Sequence, residues 1–441
     1  MAARGRAHRW SSAVAKGEMI MKTRASSMFR RLRWATLTLA LMGACLAQAP
    51  CSADVITDWD AKASAVASPA ALGQREVTIV DLAMFDAVNS IARRYTAYVV
   101  AEADVAHASA EAAAASAAAT ALGKLHPERG DGFKATLEEY LKGLSADPAA
   151  VAKGRQLGER VALRVFDSRA HDGATDPDPY RPRTQPGAYV PTAIMVCPTW
   201  PTLKPFVLER SDQFRPGPPI ALASKEWAAD YNEVKLLGAR DSTTRTPEQT
   251  ETARFWLMTG PQAYHPIARQ LIEARQLKLI DSAHFMAMYA VALTDAYIAV
   301  FDAKYRYQFW RPVTAIRNGD IDGNPDTERD AAWQPLDATP MHPEYPCAHC
   351  ILSGAAAALI ESSGGLGELT EFRLTSPTAP GVTHRWTNLE TFIDEVANAR
   401  VWAGFHYRSS ARVGTAMGRE VGRYVVAHFA PLGNDTAHVP R

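Results

Sequence analysis

Eleven of the chain's 28 prolines fall between Asp176 and Pro219, and they constrain the fold more than any other feature. Each proline lacks an amide donor and fixes φ, so no regular helix or central strand can run through this stretch. It still carries Tyr180, Tyr189, Trp200, Phe206 and Phe214. Aromatic side chains at that density predict an ordered arm packed on the protein, not a free linker.

Both flanks read as helix. From Glu76 to Tyr95, Val77, Val80, Met84, Val88 and Ile91 recur at intervals of three and four, the signature of one buried helical face. The Ala-rich stretch His107–Leu125 is a strong helix former, and Asp147–Arg169 is helical in pattern. After the prolines, Ser224 opens further helix, and Thr246-Pro-Glu-Gln249 reads as an N-cap, a first-turn Pro and a capping-box Gln. Asp281 is expected to cap the long apolar run His284–Tyr305. A second helix-breaking region, Asn318–Pro346, precedes a helix expected from near Ile351 and a final helical block, Leu389–Phe429. No segment alternates with period two. The expected fold class is therefore all-α. Residues 54–175 form an N-terminal helical half, 176–223 the Pro-rich packed connection, and 224–441 a C-terminal helical half.

Composition matters for what it excludes. At 47% hydrophobic and 22% charged, the chain is neither disordered nor a disulfide scaffold. Its 48 basic and 47 acidic residues give a net charge of +1. Nine of the basic residues and one acid lie in residues 1–53, ahead of and around the uncharged run Trp34–Leu46. A basic flank, a short apolar core and small residues to Ala53 predict a removable export signal, and hence a periplasmic or extracellular protein. Met28 offers an alternative start. The remaining 39 basic and 46 acidic residues carry a net of −7. That balance argues against a nucleic-acid partner, and no membrane span is expected after processing. Three cysteines remain: Cys197, Cys347 and Cys350.

Three segments carry candidate chemistry. In Lys304-Tyr-Arg-Tyr-Gln-Phe-Trp310-Arg311-Pro312 the two cations are nearly two helical turns apart, so they leave the same face. Taken alone they read equally as a snorkelling Lys and a surface Arg. In Pro343-Glu-Tyr-Pro-Cys347-Ala348-His349-Cys350 a proline turn opens a helix, whose free N–H groups and positive dipole end suit an oxyanion. His349 there can pass a proton. The Cys pair reads alternatively as a redox pair or as half a zinc site. In Arg400-Val-Trp-Ala-Gly404-Phe-His406, Arg and His meet at one ligand only if the helix breaks at Gly404. Ser410 can then sit beneath the His406 imidazole. Converging cations on one oxyanion would contribute roughly 1.5–3 kcal/mol per charge-assisted hydrogen bond.

In order and spacing these segments resemble the superfamily joining vanadium-dependent haloperoxidases with type 2 phosphatidic acid phosphatases and bacterial class A acid phosphatases. That pattern is K-x6-R-P, then P-S-G-H, then S-R-x5-H-x3-D. Lys304, Arg311, Pro312, Pro346, His349, Arg400 and His406 match it, and Val77–Ile91 and Arg245–Trp256 resemble the long haloperoxidase-like branch. The resemblance implies an oxyanion pocket of Lys304, Arg311 and Arg400 with the Ala348 N–H, and His349 as general acid/base. His406 would be the axial vanadium ligand in a haloperoxidase or the nucleophile in a phosphatase. Four positions depart: Cys347 for Ser, Ala348 for Gly, Ala399 for Ser, and Ser410 for the Asp that orients the histidine. The last predicts reduced turnover, because no carboxylate stabilises the imidazolium.

The function implied is a secreted vanadate-dependent haloperoxidase using hydrogen peroxide, with vanadate as cofactor. Chain length and Phe309 and Trp310 beside the pocket favour it. The alternative is an acid phosphatase acting through a phosphohistidine, which needs no cofactor; a non-catalytic anion-binding or thiol-redox protein is a third reading. Partners are small molecules, either peroxide with halide or a phosphate ester, and homo-oligomerisation is left open.

Overall fold

A computed structural model of the chain describes residues 54–430 except 104, 192 and 368. The proposed export signal, residues 1–53, lies outside the described residues. In chain order the helices are α1 (Val55–Val66), α2 (Ala70–Ala92), α3 (Ala110–Leu125), α4 (Gly130–Lys142) and α5 (Pro148–Ser168). After the prolines come α6 (Lys225–Leu237), α7 (Pro247–Phe255), α8 (His265–Arg275), α9 (Leu279–Tyr307), α10 (Pro312–Arg317) and α11 (Ala348–Ser362). A hairpin of β1 (Phe372–Ser376) and β2 (Ala379–Trp386) precedes α12 (Leu389–Trp402) and α13 (Arg408–His428). The fold is helical, with one minor antiparallel ribbon.

Local chemistry explains most boundaries. Ser109, Asp147 and Ser224 each cap a helix through a side-chain oxygen, and Thr246 with Gln249 closes a full capping box. Asp281 does not cap α9, contrary to expectation. The helix starts earlier, after Lys278, and Asp281 sits in its first turn, where its carboxylate accepts from the Tyr95 hydroxyl at 2.8 Å. Helix α11 likewise begins at Ala348, three residues earlier than the periodicity suggests, because Cys347 takes the N-cap position.

Helices α2 and α9 are the central struts. Helix α2 packs on α3, α5 and α9; α9 packs in turn on α11 and α13. Nearly every residue from Ser282 to Lys304 is buried. By length and composition α9 could cross a membrane, but it is the core helix of this fold. Each strut carries one buried aspartate that grips three successive backbone amides. Asp86 accepts from Tyr98, Val99 and Val100 at 2.8–3.0 Å. Asp295 accepts from Phe206, Val207 and Leu208 at 2.7–2.9 Å. The second grip anchors the Pro-rich arm, whose Trp200, Leu203, Phe206 and Leu208 are buried in the main core. Removing Asp295 strands three amides, two of them buried, at about 1–3 kcal/mol each. Asp295→Ala is therefore expected to lower unfolding stability by roughly 3 kcal/mol or more, read as the shift in a urea midpoint. A loss under about 1 kcal/mol would mean that the arm does not depend on this anchor.

Helix α13 approaches α11 through Gly414, Gly418 and Gly422. A Cβ at these positions would lie 2.0–2.6 Å from the carbonyl oxygens of Cys347, Ile351 and Ala355. Only glycine permits that approach, which fixes the start of α11 against the rest of the bundle.

Candidate active site

The candidate residues arrive on four separate elements. Lys304 lies in the last turn of α9, and Arg311 immediately precedes Pro312, the first residue of α10. Between them Gln308 turns the chain in the left-handed conformation (φ 49°). The Pro-rich arm pins this turn: the Tyr189 N–H donates to the Gln308 carbonyl at 2.7 Å, and Trp310 N–H to that of Gly187 at 2.9 Å. Cys347, Ala348 and His349 open α11. Arg400 lies in the last turn of α12.

The break at Gly404 is real. The residue has φ +78°, and a Cβ there would lie 2.6 Å from the Gly238 carbonyl oxygen. The N–H groups of both Phe405 and His406 turn back onto the Arg400 carbonyl at 3.1 and 3.3 Å. This brings Arg400 and His406 to one cavity of about 260 Å3, lined also by Ala348, His349, His342, Leu257, Phe301, Met341 and Phe405.

Lys304, Arg311 and Arg400 are all buried. The Lys304 ammonium donates to the Pro343 and Glu344 carbonyls at 3.0 and 2.7 Å. The Arg311 guanidinium donates to the His342 carbonyl at 2.9 Å, the Phe405 carbonyl at 2.9 Å and the His406 Nε2 at 3.1 Å. Arg400 reaches the Trp256 carbonyl and lies over the Phe405 ring, yet its buried Nε–H has no acceptor among the described residues.

The residue that sequence reasoning missed is Glu344. Its Oε1 accepts from His406 Nδ1 at 2.7 Å and from the Tyr407 N–H at 3.2 Å. Arg311 can only donate, so His406 Nε2 must accept and the ring proton must reside on Nδ1, facing Glu344. The carboxylate expected four residues after His406 is instead supplied from the turn before α11. Ser410 is not a partner of the imidazole: its buried hydroxyl lies against Glu344 and favours that group's ionised form, and its carbonyl accepts from the Cys347 N–H at 3.3 Å. Glu344 and His406 are 62 residues apart, so no local spacing could have linked them. The one available signal was an acid set between two prolines directly ahead of His349.

His342 also faces the site. Its Nδ1 accepts from Arg311 at 3.0 Å, and it lines the cavity. His349 Nε2–H donates to the Met258 carbonyl at 3.0 Å, which leaves Nδ1 for proton transfer. Two expectations fail. Neither Phe309 nor Trp310 borders the cavity; both rings pack on Trp227, at 5.7 and 5.9 Å, in a separate aromatic cluster. Cys347 is not among the residues lining the cavity; its sulfur accepts from the Cys350 N–H at 3.3 Å, within reach of the Arg400 and Lys304 charges. Among the described residues, three more histidines are engaged elsewhere: His265 on Asp60, His284 on the Ala430 carbonyl and His384 on Glu395.

Burial sets the electrostatics. It holds Lys304 well below the usual ammonium range, with Arg311 adding repulsion. It lowers Arg311 to about 10 and Arg400 in the same direction. Burial and then the neighbouring cations hold His342, His349 and His406 well below the usual imidazole range. Burial pushes Glu344 up to about 8, against the pull of Lys304 and Arg311. An arriving anion reverses each of these penalties on the protonated cations and further favours protonated Glu344. Anion binding therefore takes up protons, and affinity falls as pH rises. Phosphate titrated calorimetrically in buffers of different ionisation enthalpy should show net proton uptake; proton release would contradict this electrostatic picture.

Residues 284–434 match the family described as the VCPO second helical-bundle domain. The chain is 28% identical over 192 residues to vanadium chloroperoxidase from Curvularia inaequalis, a match covering 36% of this chain and 31% of that protein. It thus spans about a third of that relative's length. A bacterial vanadium-dependent iodoperoxidase superposes with a TM-score of 0.73 at 23% identity, covering 87% of this chain and 97% of that one. An apo-type bacterial vanadium-dependent chloroperoxidase superposes at 0.65 and 17%, covering 82% and 93%.

Proposed function

We propose that this chain, a vanadium haloperoxidase-like protein, is an exported enzyme that binds vanadate and uses hydrogen peroxide to oxidise halide. The observation that carries the reading is the Glu344–His406 pair, with Arg311 donating to the far side of the imidazole and Arg400 lining the same cavity as His406. The residues fit a tetrahedral oxyanion: Arg400 Nε–H lacks an acceptor among the described residues, the Ala348 and His349 amides open a helix, and the unprotonated His406 Nε2 faces the Arg311 guanidinium, a donor that an oxyanion can share. Bound vanadate supplies Lewis acidity that activates peroxide for two-electron transfer.

The chain's own residues bind, orient and move protons around that group. Lys304, Arg311 and Arg400 hold its negative charge, with the Ala348 N–H at the helix start. His406 contributes Nε2 as the ligand, and Glu344 keeps the Nδ1 proton and ring plane in place. His349, neutral in this setting with its proton on Nε2, accepts a proton at Nδ1. Leu257, Phe301, Met341 and Phe405 form apolar walls that limit water around the reacting atoms. The shared pocket chemistry also suits phospho-transfer to His406, so the test pairs both activities. Purified protein given vanadate, peroxide and iodide or bromide should oxidise the halide in proportion to bound vanadate. Hydrolysis of an aryl phosphate inhibited by vanadate, with no halide oxidation, would move the assignment to a phosphatase.

A further inference from the structure

The proposed oxyanion chemistry makes no use of the Cys347–Cys350 pair. Cys347 is the N-cap of α11, and its Sγ accepts both the Cys350 N–H at 3.3 Å and the Cys350 thiol at 2.6 Å. Both thiols are free and fully buried against Ala411 and Ala397. Gly414 on α13 leaves the room: a Cβ there would stand 2.6 Å from the Cys347 carbonyl oxygen and 3.1 Å from the Cys350 Cβ. The backbone that carries the two sulfurs is thus held from outside. The two residues between them, Ala348 and His349, line the cavity.

We propose that Cys347 and Cys350 are a modification site, a dithiol that hydrogen peroxide converts to a disulfide within the first turn of α11. The Cys347 sulfur attacks one peroxide oxygen; the S–O bond forms, the O–O bond breaks, and hydroxide leaves as water after taking the thiol proton. The Cys350 sulfur then attacks that sulfur, the S–S bond forms, and the S–O bond breaks to release a second water. Two thiols lose two electrons, and both peroxide oxygens are reduced.

The order of attack follows from surroundings. Burial raises the Cys347 thiol, but the Cys350 thiol donating to it and the Arg400 and Lys304 charges outweigh this and bring it to about 7. Cys350 stands well above the usual thiol range, and burial alone lifts Cys197 to about 12. Cys347 is then the attacking sulfur and Cys350 the resolving one, with Cys197 as an internal control.

The inference needs no vanadate and stands apart from the haloperoxidase reading. Full-length protein would be reduced, freed of reductant and metal-oxide anions, and treated with peroxide. Intact mass and alkylation under denaturing conditions give the readout. The expected result is a mass loss of two hydrogen atoms, with Cys347 and Cys350 no longer alkylated in the peptide map and Cys197 still reactive. Dithiothreitol should restore both. In Cys350→Ala, Cys347 should instead retain added oxygen atoms. The proposal is overturned if wild-type Cys347 gains oxygen while Cys350 stays alkylatable, or if Cys197 is consumed while the pair remains intact. The wild-type result decides by itself if the variant fails to fold.

Discussion

Glu344→Gln is expected to lower vanadate-dependent halide turnover by about 10²–10⁴-fold with the fold retained, the size of loss seen when a histidine's orienting carboxylate becomes an amide. His406 Nδ1–H donates to Glu344 Oε1 at 2.7 Å, and the same oxygen takes the Tyr407 N–H. An amide preserves shape, but its NH2 group can face Nδ1 and force the proton to Nε2. The nitrogen meant to meet the oxyanion then lacks a lone pair. Ser410→Ala should cost far less than Glu344→Gln, because the Ser410 hydroxyl acts only on Glu344 and makes no bond to the imidazole. Steady-state kcat for the two variants, with circular dichroism as a folding control, separates the outcomes. A severe defect in Ser410→Ala with little change in Glu344→Gln would place the orienting role where the sequence spacing suggested it.

Arg400→Met carries the second large effect, a loss of about 10–150-fold in vanadate or phosphate affinity. That range corresponds to one charge-assisted hydrogen bond of about 1.5–3 kcal/mol. Arg400 is chosen because its Nε–H has no acceptor among the described residues, whereas the Lys304 ammonium is engaged with two backbone carbonyls. Arg400→Lys should recover part of the loss, restoring charge without the planar fork. Equilibrium dialysis of phosphate against wild type and both variants provides the measurement. Unchanged affinity in Arg400→Met would show that the anion does not approach this guanidinium.

Helical class, the proline arm and the three site segments were legible in the sequence because each is written locally. Periodicity marks the buried faces of α2 and α9, and proline marks where helix must stop. Even the condition placed on Arg400 and His406 was local: a helix break at Gly404, which its positive φ supplies. The parts that were not legible depend on distant partners. Glu344 reaches His406 across 62 residues, and Asp295 grips amides 87–89 residues away. Trp310 looked like a pocket wall because it adjoins Arg311, but successive residues in an extended segment point opposite ways. Its ring accordingly stacks on Trp227 of α6. The loss of activity expected from Ser410 was reasonable for one position taken alone. Function is set by whether a carboxylate meets the imidazole, not by which residue brings it.

The central claim is that His406, oriented by Glu344 among three buried cations, holds a vanadate ion. Vanadium content after equilibrium dialysis tests it directly, comparing wild type with His406→Ala. One vanadium per wild-type chain, displaced by phosphate and greatly reduced in folded His406→Ala, is the predicted result. Equal vanadium in both proteins, or none in the wild type, would contradict it.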